Sequence, residues 1–157
     1  MKKIMKKIAI KGLVFEGLDK SGKSTIYNML NNSVDDRLSA RYFKIDRGPG
    51  SAIVFGKYFK REIGLKEYYE LDKWFAENNF VLIYITAEDN ILIQRTTETG
   101  EEQHDIIYLK KLYEKYLLTT EMQVIRLDTS HATPEETIKI LKTKLDQIGY
   151  SYYEQGN

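Results

Sequence analysis

The chain has 157 residues, with 24 Lys and Arg against 23 Asp and Glu and a formal net charge of +1, a size that suits one domain around a single sheet-centred core. It contains no Cys, which excludes a disulfide framework, thiolate metal ligands and a cysteine nucleophile. The balanced charge supplies no global basic field for nucleic acid, and no run approaches the roughly 18 apolar residues of a membrane span, so the expectation is a soluble, cytoplasmic protein without a membrane partner.

Residues Ile8 to Phe15 are apolar at nearly every position, the pattern of a central parallel strand covered on both faces, with Lys11 near its beginning where the stem can reach solvent. The strand runs into Gly17-Leu18-Asp19-Lys20-Ser21-Gly22-Lys23-Ser24, which fits G-x-x-x-x-G-K-[ST] without a mismatch, and then into a short helix from Ser24 to Asn32. Strand, loop and helix in that order are the context of a phosphate-cradling P-loop. Glycines at both ends let successive backbone N–H groups turn inward at a helix N-terminus, where the dipole is positive. Lys23 would reach the β- and γ-phosphates of ATP and the Ser24 hydroxyl would hold Mg²⁺. Gly17, Lys20, Ser21, Gly22 and Thr25 complete the candidate nucleotide-binding set. Asp19 and Lys20, inside the loop, would lie close to a transferring phosphate.

Arg41 to Asp46 reads as the second strand, more alternating than the first and therefore at a sheet edge. It closes on Asp46-Arg47-Gly48-Pro49-Gly50-Ser51, with Ser51 as N-cap of a helix from Ala52 to Ile63. A helix from Leu65 to Asn78 carries Tyr68, Leu71, Trp74 and Phe75 at helical spacing, which predicts a core-facing cluster rather than a base-stacking one. Phe80 to Thr86 is a buried strand and Glu88 to Thr96 a helix. TTETGEEQHD, from Thr96 to Asp105, has no apolar residue and predicts an exposed, mobile connection. Ile106 to Thr119 is an amphipathic helix and Gln123 to Leu127 the last strand. Thr133 caps a final helix to about Ile148, with Pro134 at its first position and Glu136 three beyond the cap. The tail from Gly149 is expected to fray.

Strands alternating with helices predict an α/β fold, a P-loop NTPase three-layer α/β/α sandwich on a parallel sheet of about four strands, with ligands at the carboxyl ends. The loop, Asp46-Arg47, Thr86 and Asp128 all fall at such ends. Asp46 there either holds Mg²⁺ together with Ser24 or caps the turn. Arg47 either grips a phosphate with its planar fork of donors or makes a surface salt bridge. His104 and His131 lie outside these strand ends and read as loop histidines.

FEGLDKSGKST, DRGPGS, LIYITAEDNILIQR, IIYLKKLYEKYL and VIRLDTSHATPEETIKIL, in that order, resemble the thymidylate kinase family. The resemblance implies ATP-dependent phosphoryl transfer to a deoxynucleoside monophosphate or nucleoside by one kinase domain spanning residues 1–157. It implies Asp19 on the acceptor sugar hydroxyl, Lys20 as the basic loop residue near the transferring group and Arg47 on the acceptor phosphate. Arg95 to Asp105 would be a lid over ATP, with Arg95 its one strong cation. Only about twenty residues join Thr25 to Asp46, too few for the further strand and helix of the family's acceptor side, and Gly48 stands where the family has Tyr. The acceptor site is therefore expected to be more open. A nucleic-acid end or modified base as acceptor, a nucleotide-binding protein without transfer activity, and a homodimer are left open.

Overall fold

The computed structural model describes residues 7–18, 20–32, 42–61, 64–99 and 105–154. The first strand serves two sheets. β1 (Ile8–Ile10) and β2 (Gly12–Glu16) are separated by Lys11 alone. β2 lies inside a four-stranded parallel sheet of order β3-β2-β4-β5, with β3 at Phe43–Asp46, β4 at Phe80–Thr86 and β5 at Gln123–Asp128. β1 pairs in parallel with β6 (Gly149–Ser151), Ile8 opposite Gly149. The Lys11 backbone bridges the two, donating to the Asn79 carbonyl at 3.0 Å and accepting from the Phe43 N–H at 3.2 Å.

Two expectations change here. The single strand from Ile8 to Phe15 is two strands that exchange partners at Lys11, and the tail expected to fray is β6 followed by a 3₁₀ turn at Tyr152–Glu154. The backbone groups of Ile8–Ile10 supply the pairing, and Lys11 Nζ lies 4.9 Å from the Tyr152 ring centroid, a cation–π contact that takes its ammonium out of open solvent. The edge position expected for the second strand agrees with β3, half of whose residues are exposed.

The helices are α1 (Lys23–Asn32), α2 (Pro49–Tyr58), α3 (Leu65–Glu77), α4 (Asp89–Thr99), α5 (Ile106–Thr119) and α6 (Pro134–Ile148). None among the described residues is long and apolar enough to cross a membrane. Thr133 and Glu136 form the expected reciprocal capping box on α6. α2 begins before Ala52, with Gly48 as N-cap and Pro49 at the first position, because Pro's fixed φ and missing N–H suit a helix start. Ser51 is therefore inside the first turn, and its hydroxyl is available to another partner. α4 reaches Thr99, taking Thr96 to Thr99 from the expected connection; the Thr96 and Thr97 hydroxyls bond back to the Leu92 and Ile93 carbonyls. The rest of that connection, 100–104, lies outside the described residues.

Strand periodicity distributes the core. Leu13, Phe15, Val81, Ile83 and Ile85 pack with Ile26 and Leu30 of α1 and Leu141 and Leu145 of α6. Val14, Leu82 and Tyr84 pack on the other face with residues of α2 to α5. Glu16 follows Val14 by two and enters that second layer as a charge. The expected cluster on α3 is corrected: Phe75 is buried, whereas Tyr68, Leu71 and Trp74 are 41%, 40% and 51% exposed. The inward face of α3 carries Asp72 instead, whose carboxylate accepts the Tyr116 hydroxyl, the Thr120 hydroxyl at 2.8 Å and the Glu121 N–H at 3.2 Å. These bonds pin α3 to the end of α5, and burial with the Asp72 contact pushes the Tyr116 hydroxyl pKa far up. Asp72→Ala strands the donors and should lower unfolding free energy by about 2 kcal/mol, read as a lower urea midpoint.

Candidate functional site

The loop between β2 and α1 is held by its neighbours. Gly17 and Gly22 have φ of 152° and 99°, and a Cβ at Gly22 would lie 3.2 Å from Thr129 Cγ2. Lys20 adopts φ 72° without being glycine, a costly conformation that surrounding contacts must enforce. Arg95 supplies one: its Nη1 donates to the Lys20 carbonyl at 2.9 Å and to Thr129 Oγ1 at 3.1 Å, and its Nη2 to the Thr129 carbonyl at 3.1 Å. Thr129 Oγ1 donates in turn to the Ser21 carbonyl. Arg95 and Thr129 thus brace the loop from outside. A cleft of about 630 Å³ opens here, lined among others by Lys20, Lys23, Ser24, Thr25, Arg95 and Thr129.

Lys23 begins α1, is buried, and forms an ion pair with Asp46, whose side chain is 40% exposed. The register that sets Asp46 opposite Phe15 carries β3's end to the loop. Ser24 and Thr25 are exposed in the first turn of α1, and Ser21 Oγ is buried without a hydrogen-bond partner among the described residues. A serine hydroxyl and a carboxylate are hard oxygen donors of the type Mg²⁺ takes, one or two at a time, alongside water and phosphate. Among the described residues no group of three or more His, Cys, Asp or Glu could hold a metal by itself. Asp19 lies outside the described residues, as does His104. The Asp128 carboxylate accepts the Ser130 N–H at 2.8 Å, and the Thr86 carbonyl takes the Thr129 N–H at 2.9 Å, so Thr129, not Asp128, meets the loop. His131 pairs with Glu88 at 3.1 Å on the surface.

Arg47 marks the second half of the site. Its backbone has φ 65° and its N–H donates to the Phe15 carbonyl at 2.9 Å. The next N–H, of Gly48, donates to Glu16 Oε1 at 2.6 Å, and the Ser51 hydroxyl donates to Glu16 Oε2. Tyr113 OH lies 2.9 Å from Ser51 Oγ, and Arg47 Nη1 is 3.4 Å from Ser51 Oγ and 3.5 Å from Tyr113 OH. The guanidinium also lies 5.8 Å from the Phe55 ring centroid. A Cβ at Gly48 would stand 2.7 Å from Val14 Cγ1, which accounts for glycine in place of the tyrosine of the resembling motif. Burial pushes the Glu16 carboxyl up to about 7, against the bonds from Ser51 and Gly48 and the charge of Arg47, which pull it down. Burial, and then the Glu16 charge, push the Tyr113 hydroxyl far up.

Glu16, Tyr113 and Thr129 were not among the residues expected from sequence. An acid closing an apolar strand is the one local signal for Glu16; Tyr113 and Thr129 carry none, since their partners are distant in the chain.

Fold and site together are consistent with an α/β nucleotide-binding architecture. No protein-family model and no curated protein sequence matches the chain. The crystal structure of the YorR protein from Bacillus subtilis, in complex with phosphorylated GDP, superposes with a TM-score of 0.69 at 18% identity, over 87% of this chain and 96% of that one. An unliganded sugar kinase from Janibacter sp. HTCC2649 aligns over 87% and 95% at 16% identity with a TM-score of 0.45, too low to bear on the argument. At these identities the likeness carries the fold alone. The α/β fold is shared, and neither a kinase role nor the narrower thymidylate kinase assignment follows from it.

Proposed function

We propose that the chain is a P-loop phosphotransferase, similar to thymidylate kinases, that moves the γ-phosphoryl group of ATP to a nucleoside monophosphate or nucleoside. The observation that carries the reading is the meeting of Lys23 and Asp46 at two neighbouring strand ends, with the Arg95–Thr129 cleft beside the loop and Arg47 directly after Asp46. A cation, a carboxylate and a second cation in that order are what phosphoryl transfer asks of a protein: positioning and charge neutralisation. The YorR neighbour's phosphorylated GDP supports a nucleotide occupant.

In this reading the cleft takes the donor nucleotide, and the loop N–H groups with Lys23 hold its phosphates. Lys23 would exchange Asp46 for phosphate oxygen as the donor binds, and Asp46 and Ser24 are the residues that would hold Mg²⁺. Bound there, Mg²⁺ supplies charge neutralisation at the phosphates. Arg47 holds the acceptor, by its phosphate if it is a monophosphate. An acceptor oxygen bonds to the γ-phosphorus as the bond to the β–γ bridging oxygen breaks, ADP leaves, and a hydroxyl acceptor releases its proton to water. Asp19 and Lys20 complete the transfer site.

The test is an acceptor screen with ATP and Mg²⁺ over deoxynucleosides, their monophosphates and 5′-hydroxyl oligonucleotides. Turnover on a nucleoside or monophosphate is expected. Transfer confined to oligonucleotides would move the acceptor to a nucleic-acid end, and ATP binding without any transfer would make the chain a nucleotide-binding protein instead.

A further inference from the structure

A carboxylate with no exposed surface at the end of β2 is expensive to bury, and its two hydrogen-bond donors are both tied to one neighbour. Gly48 and Ser51 follow Arg47 by one and four residues, and each donates to a different Glu16 oxygen. Together with the Arg47 N–H on the Phe15 carbonyl, consecutive residues of β2 grip consecutive residues of the turn. That grip encloses the one residue of the turn with a left-handed backbone, Arg47, a conformation that persists only where surroundings enforce it. The Arg47 guanidinium meets the hydroxyls of Ser51 and Tyr113 at 3.4 and 3.5 Å, long for hydrogen bonds. A phosphate oxygen, with full charge and bidentate geometry, outcompetes them.

We propose that Glu16 is the positioning residue of the acceptor site: by holding the Gly48 N–H and the Ser51 hydroxyl it fixes the left-handed turn at Arg47 and sets the guanidinium for an anionic acceptor group. This deepens the phosphotransferase reading and rests on it for the identity of the ligand. Glu16 touches no substrate in this scheme. Tyr113 closes the arrangement from α5 by donating to Ser51 Oγ.

The experiment measures binding of dTMP, dGMP, GMP and AMP to the ADP-loaded protein, and of ADP itself, for the wild type and for Glu16→Ala, Glu16→Gln and Ser51→Ala. For whichever monophosphate binds, Glu16→Ala should raise its Kd about tenfold or more while the ADP Kd stays within about twofold. Glu16→Gln keeps an oxygen for the Gly48 N–H and should recover most of the loss. Ser51→Ala removes one of the two bonds and should give about a threefold rise; it carries the same discrimination if Glu16→Ala does not fold. Equal weakening of ADP and monophosphate, an unchanged monophosphate Kd in a folded Glu16→Ala, no recovery in Glu16→Gln, or no monophosphate binding by the wild type would each overturn the proposal. Phosphoryl transfer is scored separately: the selective loss of monophosphate binding in a protein that transfers nothing sustains the role of Glu16 and sinks the phosphotransferase reading.

Discussion

Lys23→Ala is expected to lower kcat/KM for phosphoryl transfer by about 10³-fold or more, equivalent to ~4 kcal/mol of transition-state stabilisation. Lys23 is buried at the start of α1 with its ammonium on Asp46, so the charge is already stripped of most of its water before any ligand arrives. In the proposed reaction, truncation would remove the cation that neutralises the transferring group and leave the Asp46 carboxylate uncompensated toward the incoming phosphates. Both effects act on the charge that develops during transfer, so kcat should fall together with kcat/KM rather than KM alone rising. Steady-state kinetics with the acceptor found by the screen, beside a thermal melt to establish folding, reads this directly. A folded variant within about tenfold of wild-type kcat would remove Lys23 from the transfer step.

Much of the fold around that residue was legible because its signals are local. The Gly17–Ser24 spacing, the apolar run of β4 and the Thr133–Pro134–Glu136 start of α6 each arise from turn chemistry, burial or capping within a few residues. What was not legible depends on partners far along the chain. The helical spacing on α3 identified an apolar stripe but not which arc faces inward, because Asp72 is satisfied by Tyr116 of α5 and by Thr120 and Glu121 just after it. Glu16 looked like part of a loop motif, and its burial is decided by Ser51 and Tyr113. Ser51 itself was expected to cap a helix, and the Pro49 start carried it past that position. β6 could not be anticipated at all from composition, since among the described residues its strand partner is the distant β1.

The second large effect is on stability and follows pH. The folded Glu16 carboxyl keeps its proton up to about 7, against 4.5 as the ordinary value, because burial disfavours the anion more than Ser51, Gly48 and Arg47 favour it. Between those two values the unfolded chain has released a proton that the folded chain retains, so the contribution of this group to stability falls as pH rises and levels off above about 7. The groups facing it are Arg47 from the turn and Tyr113 and Tyr116 from α5, and burial pushes both tyrosine hydroxyls far up, away from that window. Across it the wild type should lose about 3 kcal/mol relative to Glu16→Gln, in which position 16 does not titrate. Urea unfolding of both proteins at pH 5 and pH 8 measures the swing, and parallel pH dependence in the two would show that Glu16 ionises in the fold as it does in water.

The pairing of β1 with β6 also bears on how the chain is made. Residues 8–10 precede the other described strands and helices in the chain, and residues 149–151 follow nearly all of them. Until they emerge, one side of the first strand presents open backbone groups to the cell, an edge on which a second nascent copy can pair. The same three residues lead through Lys11 into β2 and the loop between β2 and α1. Closure of the small sheet therefore waits for residues 149–151, and until they emerge a chaperone has an edge to shield at the base of the strand that leads to the loop.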